Sequence, residues 1–198
     1  MRRSTKLEGD RLRAALANWL TPAECDALLA SYRAEFGKIC GNDRNLQPWR
    51  EAFHAVSFAR AHEVKAMRIG DDPPDFIFRL PEGEFPIEIT EVKSPHDLLG
   101  KDFIRWAELE EQGVELPQTS YDPTSDWENS PERIRQAVNN KARKTYPRDT
   151  ILAVAVSGFW FGDSDPNTAE KIEAACAVGA VHFREVWLSI GSHHLKCP

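Results

Sequence analysis

The chain has 198 residues, 41% of them hydrophobic, and a formal net charge of -6. This length predicts one domain, or one domain with an appendage, built around a real core. No apolar run approaches the roughly 20 residues that span a bilayer, and no apolar segment of a secretory signal follows the basic N-terminus. The acidic balance weighs against a dedicated nucleic-acid binder, although a local basic face can coexist with it.

The four cysteines are scattered through the chain and have no CxxC spacing. This pattern predicts reduced thiols in a cytoplasmic protein and argues against a structural zinc site. No membrane association is predicted.

Residues 1–48 predict a helical appendage. Apolar residues between Leu12 and Leu20 recur at helical spacing. A second helix is predicted to start after Thr21, because a threonine N-cap, a proline at the first helical position and Glu24 at the third form a typical helix start. Residues 41–48 are then predicted to form a polar connector.

The pattern of residues 49–92 predicts a helix, a strand and a hairpin. The helix covers residues 49–62 and the strand covers residues 64–69. Two short apolar segments over 75–80 and 85–92 are rich in aromatic and β-branched residues, which is typical of strands. The segment 81–84, Pro-Glu-Gly-Glu, has turn chemistry because proline presets φ and glycine permits a positive φ.

This hairpin carries charged side chains in strands that are otherwise apolar enough to be central. The carboxylates are Asp75, Glu88 and Glu91, and Lys93 follows closely. A buried carboxylate needs a partner or a cation, and converging carboxylates can bind a hard divalent metal ion through oxygen. The sequence therefore predicts a metal site on the hairpin.

Two strand registers compete for this site. Side chains alternate along a strand, so Glu88 and Thr90 face one side. Glu91 and Lys93 face the other side, and only one pair can share a face with Asp75. A turn with an even number of residues places Asp75 with Glu88, whereas an odd turn places it with Glu91. The turn chemistry and the alternating isoleucines favour Glu88, and the other register stays open.

The second half of the chain predicts helices around buried strands. An amphipathic helix over 97–111 precedes a long polar loop over 112–131. Ser130 as N-cap and a proline at the next position predict a helix over 131–146. Lys141 falls in the middle of the inward apolar stripe of this helix, where it is expected to snorkel or to meet an anion.

Three further elements complete the chain. Residues 150–157 contain an uninterrupted apolar run, as expected of a strand buried on both faces. A helix over 168–178 and a last strand over 185–190 follow. The His193-His194 pair has no third metal ligand close in sequence, so a mobile tail is predicted there instead of a metal site.

The hairpin motif resembles that of the PD-(D/E)XK, or restriction-endonuclease-like, nucleases. Pro74-Asp75, the hairpin and then Glu91-Val92-Lys93 fit the written motif. Glu88-Ile89-Thr90 fits it with threonine in place of lysine. The order of the predicted elements resembles the αβββαβ core of that fold.

The resemblance implies an α/β fold in which a mixed central sheet is flanked by helices. On this basis residues 49–198 form a restriction-endonuclease-like domain, and residues 1–48 remain a helical N-terminal appendage that the resemblance does not explain.

The resemblance also implies metal-dependent hydrolysis of phosphodiester bonds. Asp75 and Glu88 would hold Mg²⁺ or Mn²⁺ in the favoured register, with Glu91 replacing Glu88 in the other. The catalytic lysine would be Lys93 in the second case. In the first case Lys141 would substitute for it from the following helix.

The implied partner is nucleic acid, and DNA is favoured over RNA. Whether the protein forms a homodimer is left open. Backbone phosphates would meet Gln136, Arg143 and Lys144 on the predicted basic helix. A second hypothesis is a catalytically degenerate module that binds nucleic acid or a protein, which Thr90 and the acidic total favour. A third is a structural α/β protein whose hairpin carboxylates are exposed and do not converge.

Overall fold

A computed structural model of the chain describes residues 4–37, 40, 43–71, 73–93, 109, 112–113, 123–156, 166–190 and 193–197. Within these ranges the α-helices are α1 (Thr5–Leu16), α2 (Pro22–Phe36), α3 (Gln47–Ala61), α4 (Pro123–Ala142) and α5 (Pro166–Ala177), with a 3-10 turn at Arg44–Leu46 before α3. The strands are β1 (Ala66–Ile69), β2 (Phe76–Leu80), β3 (Gly83–Val92), β4 (Ile151–Val156), β5 (Glu185–Ile190) and β6 (His193–Cys197).

The six strands form one mixed sheet in the order β1-β2-β3-β4-β5-β6. Antiparallel pairs join β1 to β2, β2 to β3, and β5 to β6, whereas β3, β4 and β5 run parallel. The predicted α/β class with a mixed sheet is confirmed. The mobile tail predicted at His193-His194 is wrong, because β6 pairs with the open edge of β5.

Helices cover both faces of this sheet. On one face Ile87 and Ile89 of β3 join a core that includes side chains of α1, α2 and α3. On the other face Val92 joins a core that includes Ile134 of α4 and Ile172 of α5. All six residues of β4 are buried, so its apolar sequence has the two-sided burial that was predicted.

The start of α2 follows the predicted capping pattern. The Thr21 hydroxyl accepts a hydrogen bond from the Glu24 backbone N–H at 3.2 Å, and the Glu24 carboxylate accepts one from the Thr21 backbone N–H at 2.7 Å. Leu29 of α2 is buried in the same core as α3 and the sheet. The N-terminal helices therefore share that core, and the division at residue 48 stays a prediction.

Removing this cap should destabilise the protein measurably. Thr21→Ala deletes the hydroxyl that satisfies a free N–H of the first turn, so we expect a loss of about 1 kcal/mol in the free energy of unfolding. Urea denaturation measures it. Thr21→Ser keeps the hydroxyl and should stay close to wild type. Equal losses in both variants would contradict a capping role.

Helix α4 differs from its prediction. It begins at Pro123 and ends at Ala142, so the loop predicted over 112–131 is wrong for its last nine residues and the predicted helix end at Tyr146 is too late. Ser130 is not an N-cap but a fully buried residue within the helix. Ser130 and Pro131 are both buried, so tertiary packing outweighs the local preference of a Ser-Pro pair for a helix start. The helix predicted over 97–111 lies outside the described residues, except at position 109.

The hairpin turn is shorter than predicted. Leu80 pairs with Gly83, so the loop contains only Pro81 and Glu82. Gly83 has a φ of 150°, a conformation that side chains with a Cβ rarely adopt. The loop length remains even, and the register argument therefore survives the change.

His62, at the C-terminal end of α3, is a half-buried histidine away from the hairpin. Its ring stacks on that of Trp187, with 4.0 Å between the centroids. Burial lowers the pKa of His62 to about 4, helped by His194 and Lys196 and opposed by Glu185. Its Nε2 is buried and has no hydrogen-bond partner among the described residues.

This histidine should make the protein sensitive to acid. The unfolded chain takes up the His62 proton near pH 6.5, whereas the folded protein resists it until about pH 4. Stability should therefore fall as the pH drops through this window. His62→Phe should flatten the decline in thermal unfolding midpoint between pH 6.5 and 4, whereas the exposed His182→Phe should not. Parallel pH profiles for wild type and His62→Phe would contradict this.

Candidate active site

The pairing of β2 with β3 fixes which carboxylates meet. Phe76 pairs with Ile87, so the next position places Asp75 opposite Glu88. The favoured register is confirmed. The Asp75 Oδ2 atom accepts a hydrogen bond from the backbone N–H of Ile89 at 2.7 Å, which ties this side chain to the middle of β3.

Glu88 is a buried carboxylate with two different oxygens. It is only 4% exposed. Its Oε1 accepts hydrogen bonds from Lys141 Nζ at 2.5 Å and from the Tyr146 hydroxyl at 3.2 Å. Its Oε2 is buried and has no hydrogen-bond partner among the described residues. The inward direction predicted for Lys141 is confirmed, and one carboxylate oxygen is left for another ligand.

Tyr146 had no signal in the sequence. It follows the end of α4, so helical periodicity does not place it, and its contact with Glu88 spans 58 positions of the chain. Only the folding of α4 back onto β3 brings the two together.

Asp75 is poised to change its charge near neutral pH. Burial raises its pKa to about 7, and the nearby Glu88 and Glu51 carboxylates act in the same direction. The Ile89 N–H and the Lys141 ammonium oppose this rise only in part. When two carboxylates lie close together in a partly buried site, their negative charges repel, so ionisation of one opposes ionisation of the other. A cation bound between them would remove this penalty.

A cleft with a volume of about 540 Å³ opens over this pair. Four acidic and four Lys or Arg side chains line it, together with one histidine and three uncharged residues: Gln47, Arg50, Glu51, His54, Asp75, Glu88, Ile89, Thr90, Glu91, Lys93, Lys141 and Lys144. The formal charges of the lining therefore cancel, although the whole chain carries -6. Thr90 lies on the Glu88 face, at the position where the written motif has lysine.

Glu91 and Lys93 lie in the same cleft but not on the Asp75 face of β3. Glu91 is approached by Lys93 Nζ at 3.3 Å, Arg50 Nε at 3.7 Å and His54 Nε2 at 3.8 Å. Burial alone would raise the pKa of Glu91, but His54, Lys93 and Arg50 together hold it below its ordinary value. The carboxylate is therefore charged, and Arg50 and Lys93 supply positive charge beside it.

The donor set fits a divalent metal ion with few protein ligands. Among the described residues, no group of three or more His, Cys, Asp or Glu side chains is arranged to hold a metal. However, Mg²⁺ is often bound by only one or two carboxylates, with water and substrate phosphate completing its octahedron. Asp75 and the unpartnered Oε2 of Glu88 match this requirement.

The residues predicted to contact nucleic acid do not gather in one place. Lys144 lines the cleft. Gln136 is exposed and donates a hydrogen bond to Glu132 at 3.1 Å, and neither Gln136 nor Arg143 is part of the cleft lining. Arg50, Glu51 and His54 fall within the helix predicted over residues 49–62, and the sequence pattern does not place them in the metal site. The structure brings all three into the cleft.

Comparisons with protein-family models, with curated proteins and with solved structures find no match for this chain. Within the described part of the chain, no helix combines the length and apolar character needed to cross a membrane.

Proposed function

We propose that this protein is a metal-dependent nuclease that hydrolyses phosphodiester bonds of DNA or RNA. The observation that carries the proposal is the buried pair of Asp75 and Glu88, with Lys141 bound to one oxygen of Glu88 and the other oxygen left without a donor. The order α3-β1-β2-β3, then α4 and β4, agrees with a restriction-endonuclease-like αβββαβ core and supports the same proposal.

In this proposal Asp75 and Glu88 would hold Mg²⁺ or Mn²⁺. When bound, such an ion polarises a phosphoryl oxygen and lowers the pKa of a bound water. Lys141 orients the attacking water or stabilises the negative charge that grows on the phosphoryl group. The water oxygen bonds to phosphorus and loses one of its protons, while the bond from phosphorus to the leaving oxygen breaks. The leaving oxygen takes up a proton, so the products are a phosphate monoester and a free hydroxyl.

The charges of the cleft are consistent with a polyanionic substrate. The lining is formally neutral without a metal ion, so a divalent cation makes it positive. Asp75, with its pKa of about 7, would give up its remaining proton on binding a cation. Metal binding should therefore release protons near neutral pH and increase the attraction for phosphates at the same time.

The test combines metal binding with cleavage. Calorimetric titration with Mg²⁺ and Mn²⁺ should show binding to the wild type and none to Asp75→Asn. Among single- and double-stranded DNA and RNA, at least one substrate should be cut by the wild type but not by Asp75→Asn, and not by either protein in EDTA. Asp71→Asn is a matched control, because it changes an exposed carboxylate four positions away. Cleavage that survives in Asp75→Asn would overturn the proposal.

One observation favours a second candidate, a degenerate module that binds nucleic acid or a protein without cutting. Lys141 is bonded directly to Glu88, and the motif lysine is replaced by Thr90. A lysine held in this pair in every state would leave only one oxygen of Glu88 for a metal ion. For this candidate, nucleic acid or a protein partner binds, but added Mg²⁺ produces no cleavage of any of the four substrates.

A further inference from the structure

The segment that fits the written motif, Glu91-Val92-Lys93, has no role in the proposed chemistry. It nevertheless lies in the same cleft and forms a second charged cluster. Arg50 and His54 lie four residues apart on one face of α3 and both point towards Glu91. Lys93 approaches the same carboxylate from the end of β3. Two separate elements therefore converge on one point.

The contacts within this cluster are loose. Charge-assisted hydrogen bonds between nitrogen and carboxylate oxygen are typically about 2.7–2.9 Å long. The three distances to Glu91 run from 3.3 to 3.8 Å. Arg50 carries five N–H donors, and within the described contacts only its Nε faces Glu91. The cluster therefore keeps donor capacity that Glu91 does not use.

The cluster also has an excess of positive charge and access to solvent. Arg50 and Lys93 outnumber Glu91, even with His54 neutral. The Arg50 side chain is 37% exposed and that of Lys93 is 25% exposed. Glu91 lies three residues beyond Glu88, which is about 10 Å along the strand. An anion bound here would lie within a few nucleotides of a phosphate at Glu88, because successive phosphates of a duplex strand are about 3.4 Å apart along the axis.

We propose that Arg50, His54 and Lys93 form a binding site for a second phosphate of the substrate, and that Glu91 occupies this site until the phosphate replaces it. The planar guanidinium of Arg50 suits a phosphate because it can donate two parallel hydrogen bonds. The choice of nucleic acid as the source of that phosphate rests on the proposed nuclease function. Either a terminal monoester or an internal diester offers the required oxygens.

Binding without cleavage tests this site. Fluorescence anisotropy in EDTA measures the affinity for short oligonucleotides that carry a 5′-phosphate, a 3′-phosphate or no terminal phosphate. Arg50→Gln and Lys93→Gln should each weaken binding about 5- to 10-fold and reduce the salt dependence by about one phosphate contact. Arg60→Gln, on the same helix and paired with Asp26, should bind as wild type.

Glu91→Gln is the decisive variant, because its effect on oligonucleotide affinity should be opposite to that of Arg50→Gln and Lys93→Gln. It removes the competing carboxylate and should tighten binding, a gain that misfolding cannot produce. A preference for one phosphorylated end would identify a terminal phosphate, whereas equal binding of all three oligonucleotides would identify an internal one. Wild-type affinity in Arg50→Gln and Lys93→Gln, weaker binding in Glu91→Gln, or no binding to any oligonucleotide would overturn the proposal. Absence of cleavage with Mg²⁺ would overturn the nuclease function but not this site.

Discussion

Replacing Lys141 with methionine is expected to lower the free energy of unfolding by about 3 kcal/mol. Methionine keeps most of the length of the side chain but removes the ammonium that lies 2.5 Å from Glu88 Oε1. Among the described contacts, Glu88 would then be a buried carboxylate that keeps one hydrogen-bond donor, the Tyr146 hydroxyl. Removing one partner of a buried ion pair typically costs about 3–5 kcal/mol. The lower end applies because the Lys141 side chain is 19% exposed.

A thermodynamic cycle separates this effect from lost packing. Glu88→Gln and the double variant Glu88→Gln/Lys141→Met complete the cycle, with urea denaturation as the measurement. The double variant should recover much of the loss, because no buried charge is left unpaired. Lys144→Met, an exposed change beyond the end of the same helix, should stay within about 0.5 kcal/mol of wild type. Additive losses in the cycle would show that the two charges do not depend on each other.

The hairpin shows which parts of a site can be predicted from sequence. The partner of Asp75 followed from strand alternation and the even number of residues in the turn, and both are local properties. The turn proved two residues shorter than predicted, yet its even length kept Asp75 opposite Glu88. The inward direction of Lys141 followed in the same way, from its place in the periodicity of a helix.

Other parts of the site depend on where separate elements pack. Nothing near Arg50 or His54 in the sequence indicates that these two side chains of α3 meet Glu91, because that contact spans about forty positions. Strand β6 is polar and short, and it is ordered by pairing with the open edge of β5. These features need the folded sheet, and residue patterns alone do not supply it.

Glu88→Gln should reduce metal-dependent cleavage far more than any other change of a glutamate on β3. Loss of a group that only orients a metal ligand already costs about 10- to 100-fold in metal affinity or activity. Removal of a proposed ligand should therefore cost more than about 100-fold in kcat/KM. Glu84→Gln is the matched control, because this exposed glutamate on the same strand pairs with Arg79 in the hairpin, and it should leave the activity unchanged.

Glu91→Gln distinguishes the two faces of β3 within the same assay. If Glu91 only competes with a substrate phosphate, its replacement should lower KM and leave the rate of the chemical step unchanged, as expected for a change in uniform binding. If Glu91 were instead the metal ligand, kcat would fall and the metal requirement would shift. A large loss of kcat in Glu91→Gln together with near-normal activity in Glu88→Gln would reverse the two assignments, despite a register that places Asp75 opposite Glu88. Both glutamates line one cleft, so position alone does not separate their roles. A loss of activity in Glu88→Gln together with a lower KM in Glu91→Gln would assign chemistry to Glu88 and phosphate binding to the site that Glu91 occupies.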